Sequence, residues 1–351
     1  MKQFQSSDID KTVLHDKTVA IIGYGSQGRA QALNLRDSNI AVLIGVRNEN
    51  SASAKQAVAD GFEVSPLNAA AAAADLIMLL TPDETHAELH AELARGTNLA
   101  GKTIGFAHGY AQTFGLLDKS SENTEPANVS DPANPFNPAK PAASSGLPDI
   151  ILVSPKGIGP AVRSQYLKGS GVAALVAVAR DSTGQALQLA LAYASAIGSD
   201  RVGIFQTSFK EETIADLFSE QAVIVGGMTA LIKAGFDTMV AKGIAPEIAY
   251  FECVVEAKLI LDMIVESGFS TMFEQISNTA EYGAYTAGHK VIDADTTNRM
   301  AEIFDESASG DFAKAWNAEC AHNMPTLQKQ RKIWKESLID QTATHMRNIG
   351  K

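Results

Sequence analysis

Two pairs of carboxylates in the second half of the sequence have the spacing of one helical turn. Asp216 and Glu220 are four residues apart in DLFSEQ, and Glu252 and Glu256 repeat that spacing in FECVVE. Residues at i and i+4 of a helix lie on one face, where two like charges cost roughly 0.2–0.5 kcal/mol. Carboxylate oxygens, with no His or Cys at the positions that share this four-residue spacing, favour Mg²⁺ over zinc. The pattern therefore predicts a site for two Mg²⁺ ions, which could polarise a carbonyl and stabilise an alkoxide.

The surroundings of the second pair strengthen this prediction. The segment from residue 246 to 268 has almost no polar face; its apolar residues include Ile248, Tyr250, Phe251, Val254, Val255, Leu259, Ile260, Leu261, Met263 and Ile264. A helix that is apolar all round is a buried helix, and a buried carboxylate must be protonated, paired or bound to a metal. For Asp216 and Glu220 a solvated acidic face stays open as an alternative, because Glu211 and Glu212 indicate that their helix tolerates acids.

A glycine-rich stretch near the start of the chain predicts a dinucleotide site. It follows the apolar run TVAII, precedes the helical stretch RAQALNLRD, and consists of Gly23, Tyr24, Gly25, Ser26, Gln27 and Gly28. Glycines at these positions permit a tight turn and bring a pyrophosphate close to the free N–H groups of a helix start. The strand before it and the helix after it are the context that supports this interpretation over a glycine turn without a ligand.

The end of the second apolar run favours NADPH over NADH. Arg47 follows IAVLIGV, and Ser51 and Ser53 come shortly afterwards. A guanidinium and two hydroxyls offer positive charge and hydrogen-bond donors to a 2′-phosphate, which a carboxylate would repel. The alternative is that Arg47 is a solvated strand end and that Glu49 binds the ribose.

Two further residues follow apolar runs at positions where ligands bind in α/β sheets. His108 in FAHG and Lys156 in SPKG each come directly after such a run. Ligands of open α/β sheets bind beyond the carboxyl ends of the strands, so either side chain could move a proton or hold a substrate carboxylate. A structural role stays open for both.

These residues must be positioned by two different kinds of structure. From Thr18 to about Phe205 short apolar runs alternate with helical stretches; the runs are TVAII, IAVLIGV, LIMLL, TIGFA, IILVS, VAALVAVA and VGIF. This alternation predicts a parallel sheet with crossover helices, and after Ser208 helical segments continue to the end of the sequence. We therefore predict an α/β protein with an N-terminal Rossmann-type doubly wound sheet over residues 1–207 and an all-α domain over 208–351. A segment at about 120–147, rich in Pro, Asn, Ala and Ser, is expected to be a surface insertion.

Bulk composition narrows the class of protein. A chain of 351 residues predicts two domains, and a formal net charge of -11 argues against nucleic-acid binding. The only cysteines, Cys253 and Cys320, form neither a disulfide framework nor a zinc site. No apolar run approaches the roughly 18 residues of a membrane span, and no signal peptide is evident. We expect a cytoplasmic protein without a membrane partner.

Several long stretches give the sequence a family resemblance. They are GYGSQGRAQALNLRDS, LTPDETH, FAHGY, PKGIG, FKEETIADLFSEQ, AGFDTMVAKGIAPEIAYFE and ISNTAEYG. With these the chain resembles ketol-acid reductoisomerase, also called acetohydroxy-acid isomeroreductase, in its short bacterial form. The resemblance implies an NADPH- and Mg²⁺-dependent enzyme of branched-chain amino-acid biosynthesis. It implies alkyl migration in 2-acetolactate or 2-aceto-2-hydroxybutyrate, followed by reduction to the 2,3-dihydroxy acid.

The resemblance also implies roles for individual residues. The cofactor would be held by Gly23 to Gly28, Arg47, Ser51, Ser53, Asp83, Glu84, Thr85, His86 and Gly159. Two Mg²⁺ ions would be bound by Asp216, Glu220, Glu252 and Glu256; His108, Lys156 and Glu256 would be catalytic, and Ser277 would contact the substrate. The first proton acceptor stays unassigned.

The sequence departs from the family pattern near the expected pocket. PKGIG followed by Pro160 replaces the usual PKGPG followed by His; Ala215, Ser219 and Val255 also differ from the usual residues. These changes leave open a paralogue acting on a related 2-hydroxy-3-keto acid.

The resemblance further implies a homodimer or higher homo-oligomer, in which interlocked subunits share active sites. Two other functions stay open from the sequence: a metal-free NADP-dependent β-hydroxyacid dehydrogenase and a non-catalytic NADP-binding sensor. The dehydrogenase would not require four carboxylates, and its activity would survive chelation.

Overall fold

The computed structural model describes residues 1–117, 136 and 146–349. The chain forms two compact units, Met1–Thr213 and Ile214–Lys351. Most of the insertion predicted at about 120–147 lies outside the described residues, so its structure stays a prediction.

The described part of the first unit is built on one nine-stranded sheet. Its strands are β1 (Gln3–Phe4), β2 (Thr18–Ile22), β3 (Ala41–Val46), β4 (Glu63–Pro66), β5 (Leu76–Leu79), β6 (Thr103–Phe106), β7 (Asp149–Pro155), β8 (Ala174–Arg180) and β9 (Ile204–Gln206). Their order is β1-β9-β8-β7-β6-β5-β2-β3-β4. The strands from β4 to β7 in that order are all parallel. The strand order reverses between β2 and β5, which is where open α/β sheets bind their ligands.

The predicted α/β fold class is confirmed, with one correction to the sheet. All seven predicted strands are present, but β8 runs antiparallel to β7 and β1 runs antiparallel to β9. Apolar runs report burial and not strand direction, so these reversals cannot be recognised from the runs. Strands β1 and β4 were not predicted, because they are short and lack an apolar run.

Helices cover both faces of the sheet. They are α1 (Ser26–Asp37), α2 (Ala52–Ala59), α3 (Leu67–Ala73), α4 (His86–Gly96), α5 (Tyr110–Thr113), α6 (Gly159–Leu167) and α7 (Ala186–Ala196). Single 3₁₀ turns occupy Ser6–Asp8, Lys11–Leu14, Asp83–Thr85 and Ser199–Arg201. Every residue of β5 is buried, because a parallel strand covered on both faces has no solvated side. One apolar cluster lies on each face of the sheet.

The second unit is helical. Helix α8 (Phe209–Ser219) leads into it, followed by α9 (Gly226–Ala241), α10 (Pro246–Tyr250), α11 (Glu256–Gln275), α12 (Asn278–Val291), α13 (Ala294–Ser309), α14 (Asp311–Ala321), α15 (Pro325–Lys335) and α16 (Leu338–Ile349). Two π-helical turns, Glu220–Ile224 and Phe251–Val255, join α8 to α9 and α10 to α11. A small core forms around Phe236, Ala249 and Ile339.

The prediction that the segment 246–268 is buried all round is wrong for a single chain. Within that segment Ile248 is 53% exposed, Leu259 is 55% exposed and Val265 is 85% exposed. The apolar pattern predicts that these side chains are covered, but the described residues of one chain leave them exposed.

The helical stretch before this segment is also apolar and exposed to solvent. By length and composition alone, the helical stretch Phe209–Ala241 could cross a membrane, and only 6% of its most apolar window is buried. This is a weak indication of a membrane span, since an apolar helix that packs against another protein surface has the same composition.

Candidate functional site

The glycine loop after β2 has a distinct physical reason for each of its glycines. Gly23 has φ +98°, and a Cβ there would lie 2.8 Å from the Thr81 backbone nitrogen. A Cβ on Gly28 would lie 1.9 Å from the Gly23 carbonyl oxygen, so glycine lets α1 begin directly against the turn. Gly25 is the N-cap of α1 and has no side chain to cap it, and nothing lies within 4 Å of its Cβ position. No side chain at Gly25 therefore covers the first N–H groups of α1, as a pyrophosphate site requires.

Tyr24 in this loop is anchored by a carboxylate that the sequence did not single out. The Tyr24 hydroxyl donates to Asp60 Oδ2 at 2.8 Å, and burial raises the Tyr24 pKa. Asp60 also accepts two hydrogen bonds from Arg29, at 2.7 Å and 3.0 Å. The hydrogen bonds from Arg29 lower the Asp60 pKa to about 2. Asp60 thus fixes the tyrosine and the first turn of α1 together.

The PKGIG loop after β7 packs directly against the glycine loop. Gln27 Nε2 donates to the Gly157 carbonyl oxygen at 2.8 Å. A Cβ on Gly159 would lie 2.1 Å from the Ser26 carbonyl oxygen, so only glycine permits this approach. The structure therefore brings Ser26, Gln27 and Gly159 together, as the family resemblance implies for cofactor-binding residues.

Arg47, at the end of β3, forms ion pairs with two glutamates of α4. Its Nη2 lies 3.0 Å from Glu88 Oε1 and 2.8 Å from Glu92 Oε2, and its Nε donates to the same Glu92 oxygen at 3.0 Å. Burial alone would lower the Arg47 pKa, but the hydrogen bonds to Glu92 and Glu88 outweigh burial and raise it.

The two serines near Arg47 lie at the start of α2. The Ser51 hydroxyl accepts a hydrogen bond from the Ala54 backbone N–H at 3.2 Å and caps the helix. It also lies 3.2 Å from the Ser53 hydroxyl. Both hydroxyls therefore sit beside the free N–H groups of a helix start, where an anion is stabilised.

The segment Asp83–His86 after β5 holds the histidine after β6. Asp83 Oδ2 lies 2.7 Å from His108 Nδ1. Burial tends to raise the Asp83 pKa, but the hydrogen bond and charge of His108 outweigh it and lower that pKa. Burial lowers the pKa of His86, whose Nε2 lies 3.0 Å from the Thr81 carbonyl oxygen. Glu84 and Thr85 complete the 3₁₀ turn, with the Thr85 hydroxyl donating to Pro82 O at 2.7 Å.

A buried carboxylate positions Lys156 after β7. Glu212, on α8, has a side chain with no exposed surface and lies 2.9 Å from Lys156 Nζ. It also accepts hydrogen bonds from the Ser154 hydroxyl at 2.7 Å and from the Gly109 backbone N–H at 3.1 Å. Because Gly109 follows His108, one carboxylate ties together the loops that carry both candidate catalytic residues.

Glu212 is a residue that the sequence-based prediction missed. In the sequence it indicates only that its helix tolerates acids, yet Glu212 is the most buried acid of that helix. The available signal was its spacing: Glu212, Asp216 and Glu220 recur every four residues on one helical face.

Both predicted metal-binding pairs lie at π-helical turns. Glu220 begins the first π turn, while Glu252 lies in the second and Glu256 directly follows it. Asp216 is half-buried, and the other three carboxylates are exposed. Isolated π turns in α-helices are frequent at functional sites, which is an observation independent of the four-residue spacing.

A single chain does not gather the four carboxylates into one site. Among the described residues, no three His, Cys, Asp or Glu side chains are close enough to share a metal ion. Ser277, the predicted substrate contact, is an exposed N-cap of α12 that accepts a hydrogen bond from the Ala280 backbone N–H at 3.2 Å. The oxygen donors suit Mg²⁺, but within one chain they are not assembled.

Comparison with known families matches nearly the whole chain. Residues 13–126 and 142–203 match the acetohydroxy acid isomeroreductase NADPH-binding domain. Residues 209–351 match the ketol-acid reductoisomerase C-terminal domain. The family resemblance inferred from the motifs is thereby confirmed.

One solved structure supports the same family, and two more distant ones share the fold. An NADH-preferring ketol-acid reductoisomerase from an uncultured archean is 36% identical, with a TM-score of 0.88 and 99% of each chain covered. A semialdehyde dehydrogenase NAD-binding protein from Cupriavidus necator, in complex with calcium and NAD, is 17% identical, with a TM-score of 0.55, and the match covers 83% of this chain and 98% of that one. A pyrroline-5-carboxylate reductase from Coxiella burnetii is 12% identical, with a TM-score of 0.51 and coverage of 84% and 98%. The last two are similar in fold alone.

Proposed function

The chain belongs to the ketol-acid reductoisomerase family, and we propose that its first unit binds NADPH while the carboxylates of its second unit bind Mg²⁺. Its activity is that of an NAD(P)-dependent ketol-acid reductoisomerase of branched-chain amino-acid biosynthesis. The observation that carries the proposed site is the placement of His108 and Lys156. Asp83 and Glu212 hold them at the carboxyl edge of the sheet that also carries the glycine loop.

The glycine loop and the end of β3 support NADPH as the cofactor. Gly25 leaves the start of α1 open for a pyrophosphate, and Arg47 offers a guanidinium where a 2′-phosphate would lie. The archaeal relative is described as NADH-preferring, so cofactor choice must be measured for this chain. We expect Arg47→Asp to weaken NADPH use far more than NADH use; equal losses would contradict the phosphate assignment.

His108 and Lys156 are proposed to act on the substrate. A hydrogen bond from His108 Nδ1–H to Asp83 leaves Nε2 as the histidine nitrogen that takes up or returns a proton. The Lys156 ammonium, held by Glu212, is a fixed positive charge for the substrate carboxylate. The nicotinamide, when bound, supplies the hydride for the reduction. The chain's own residues thus orient the substrate and move protons.

Asp216, Glu220, Glu252 and Glu256 are proposed to hold two Mg²⁺ ions. When bound, these ions would stabilise negative charge on the substrate's oxygens during alkyl migration. The exposure of the carboxylates in one chain, their hard oxygen donors and the π turns beneath them support this proposal. We expect exhaustive chelation to abolish turnover of 2-acetolactate and Mg²⁺ to restore it. Undiminished turnover after chelation would favour the metal-free dehydrogenase mechanism.

Two copies of the chain are proposed to complete each metal site. The large exposed apolar side chains of α9, α11 and the turn between α10 and α11 support a homodimer, among them Leu231, Phe251, Leu259, Val265 and Phe269. Co-expression of Asp216→Asn and Glu252→Gln chains tests the sharing directly. In a mixed dimer with shared sites, one site contains both substitutions and the other contains neither, so random pairing restores about a quarter of wild-type activity. Sites built from a single chain would all be damaged, and the mixture would be inactive.

The preferred substrate is testable in the same assay. Oxidation of NADPH with 2-acetolactate and with 2-aceto-2-hydroxybutyrate, each with and without Mg²⁺, measures both steps together. We propose that one or both are substrates, although the departures at PKGIG and Pro160 lie next to Lys156. Activity with neither would indicate a related 2-hydroxy-3-keto acid.

We also propose a cytoplasmic location. The family relative is a biosynthetic enzyme that uses a nicotinamide cofactor, and both cysteines are free thiols. Cell fractionation with an activity assay tests this; activity in the membrane fraction would contradict it.

A further inference from the structure

The ion pairs of Arg47 have a direct bearing on cofactor choice. Arg47 Nε and Nη2 both donate to Glu92 Oε2, and Nη2 also lies 3.0 Å from Glu88 Oε1. The two glutamates are four residues apart on α4, so they form a like-charge pair with the guanidinium between them. Two donors that a 2′-phosphate would use are therefore already engaged.

We propose that Glu88 and Glu92 are specificity-determining residues that reduce this enzyme's selectivity for NADPH over NADH. This inference rests on the proposed role of Arg47 as the ligand of the cofactor's 2′ substituent. A 2′-phosphate must compete with two carboxylates for the guanidinium and would lie beside their negative charge. The uncharged 2′-hydroxyl of NADH meets no such repulsion.

The exposure of the three side chains sets the size of the effect. The Arg47 side chain is 41% exposed, that of Glu92 34% and that of Glu88 70%. Ion pairs this accessible to water are weak, so a phosphate can displace them, but at a measurable loss of affinity. Removal of the better-buried partner, Glu92, should tighten NADPH binding by about two- to fivefold. Removal of Glu88 should have a smaller effect, since water screens it more.

The test compares cofactor affinities, which do not depend on the metal site. Glu92→Gln, Glu88→Gln and the double variant of the full chain are titrated with NADPH and with NADH, following the fluorescence of the reduced nicotinamide. We expect the dissociation constant for NADPH to fall in the order wild type, Glu88→Gln, Glu92→Gln, double variant. The constant for NADH should change by less than about twofold. Added salt should reduce the differences for NADPH.

Asp37, at the C-terminal end of α1 and away from the glycine loop, provides a matched control for these substitutions. Asp37 lies 2.7 Å from Arg163 Nη2, and the twelve residues of α1 place it roughly 18 Å from the glycine loop. Asp37→Asn removes a carboxylate from an arginine in the same unit and should leave both cofactor affinities unchanged.

The outcomes separate this inference from the proposed function. If Arg47→Gln weakens NADPH binding but Glu92→Gln leaves it unchanged or weakens it, the specificity role is refuted and the cofactor site stands. If Arg47→Gln affects neither cofactor, the proposed site itself is wrong. Tighter NADPH binding in Glu92→Gln, with NADH unchanged, supports the inference.

Discussion

Replacement of Glu212 by glutamine should destabilise the protein more than any other single loss of an acid on α8. The Glu212 carboxylate accepts from three donors, the Gly109 N–H, the Ser154 hydroxyl and the Lys156 ammonium. A glutamine side chain has one carbonyl oxygen, and its NH₂ group would face either the Gly109 N–H or the Lys156 ammonium. At least one donor therefore loses its acceptor, and the charge that pairs with Lys156 is gone.

The expected cost follows from the burial of these groups. A hydrogen bond to a charged group contributes roughly 1.5–3 kcal/mol, and an unsatisfied buried donor costs about 1–3 kcal/mol. Lys156 keeps 35% of its side-chain surface exposed, so water replaces part of its lost partner. We expect Glu212→Gln to lower the free energy of unfolding by roughly 2–4 kcal/mol. Urea denaturation at fixed protein concentration measures this directly.

Glu211 provides the matched control on the neighbouring position. It is only half-buried, and the single described partner of its carboxylate is the Thr207 hydroxyl at 2.5 Å. Glu211→Gln should cost less than about 1 kcal/mol. The double variant of Glu212→Gln with Lys156→Met should show a coupling energy of about 0.5–3 kcal/mol. A loss in Glu212→Gln no larger than in Glu211→Gln would refute the role assigned to this carboxylate.

Three further predictions concern the first unit. Asp60→Asn should flatten the pH dependence of the melting temperature between about pH 4 and pH 2. Arg29 lowers the folded-state Asp60 pKa from 3.8 to about 2, so the wild-type carboxylate stabilises the fold above its unfolded pKa and loses that contribution as pH falls. Asp83→Asn should lower kcat at least about tenfold with little change in the KM for NADPH, because the amide is neutral and can turn its NH₂ group toward His108 Nδ1, which favours the wrong tautomer. Gly159→Ala should weaken NADPH binding and lower stability by roughly 1–3 kcal/mol, because the new Cβ would lie 2.1 Å from the Ser26 carbonyl oxygen.

Each of these predictions has a contrary result. If the melting temperature of Asp60→Asn depends on pH as that of the wild type does, Asp60 does not contribute to the loss of stability in acid. Asp37→Asn serves as the comparison. A raised KM for NADPH at constant kcat in Asp83→Asn would assign Asp83 to the cofactor instead of to His108. Gly169, where nothing lies within 4 Å of the Cβ position but φ is +78°, controls for backbone strain alone. Equal cofactor affinity in Gly159→Ala and wild type would mean that the loops need not be in contact.

The fold could be predicted from sequence because burial on both faces of a parallel strand leaves a visible apolar run. The runs around Ile21, Ile77 and Ile151 located their strands correctly. The direction of a strand leaves no pattern in its sequence, so the antiparallel pairing of β8 with β7 was not predicted. The glycine loop could be predicted because steric exclusion acts on neighbours in sequence, as between Gly23 and Gly28.

Long-range pairings explain what the sequence did not reveal. Glu212 and Lys156 are 56 residues apart, and no local pattern distinguishes an acid that pairs with a distant lysine from one that faces water. The end of β3 predicts Arg47 as a phosphate ligand, but no local pattern reveals its ion pairs with Glu88 and Glu92, some forty residues further on. The prediction that the segment 246–268 is buried within one chain failed for a related reason. An apolar pattern indicates that a surface is to be covered, but not which molecule covers it.

The contact between the glycine loop and the PKGIG loop has a consequence for dynamics. Strands β2 and β7 are separated in the sheet by β5 and β6, yet their loops touch through Ser26 and Gly159 and are joined by Gln27. Two loops locked in this way lose their freedom to move when the chain folds, not when a ligand arrives. The conformational entropy of the two loops is then lost during folding, so cofactor binding does not have to order them. We therefore expect both loops to have the backbone NMR order parameters of rigid structure before any cofactor is added.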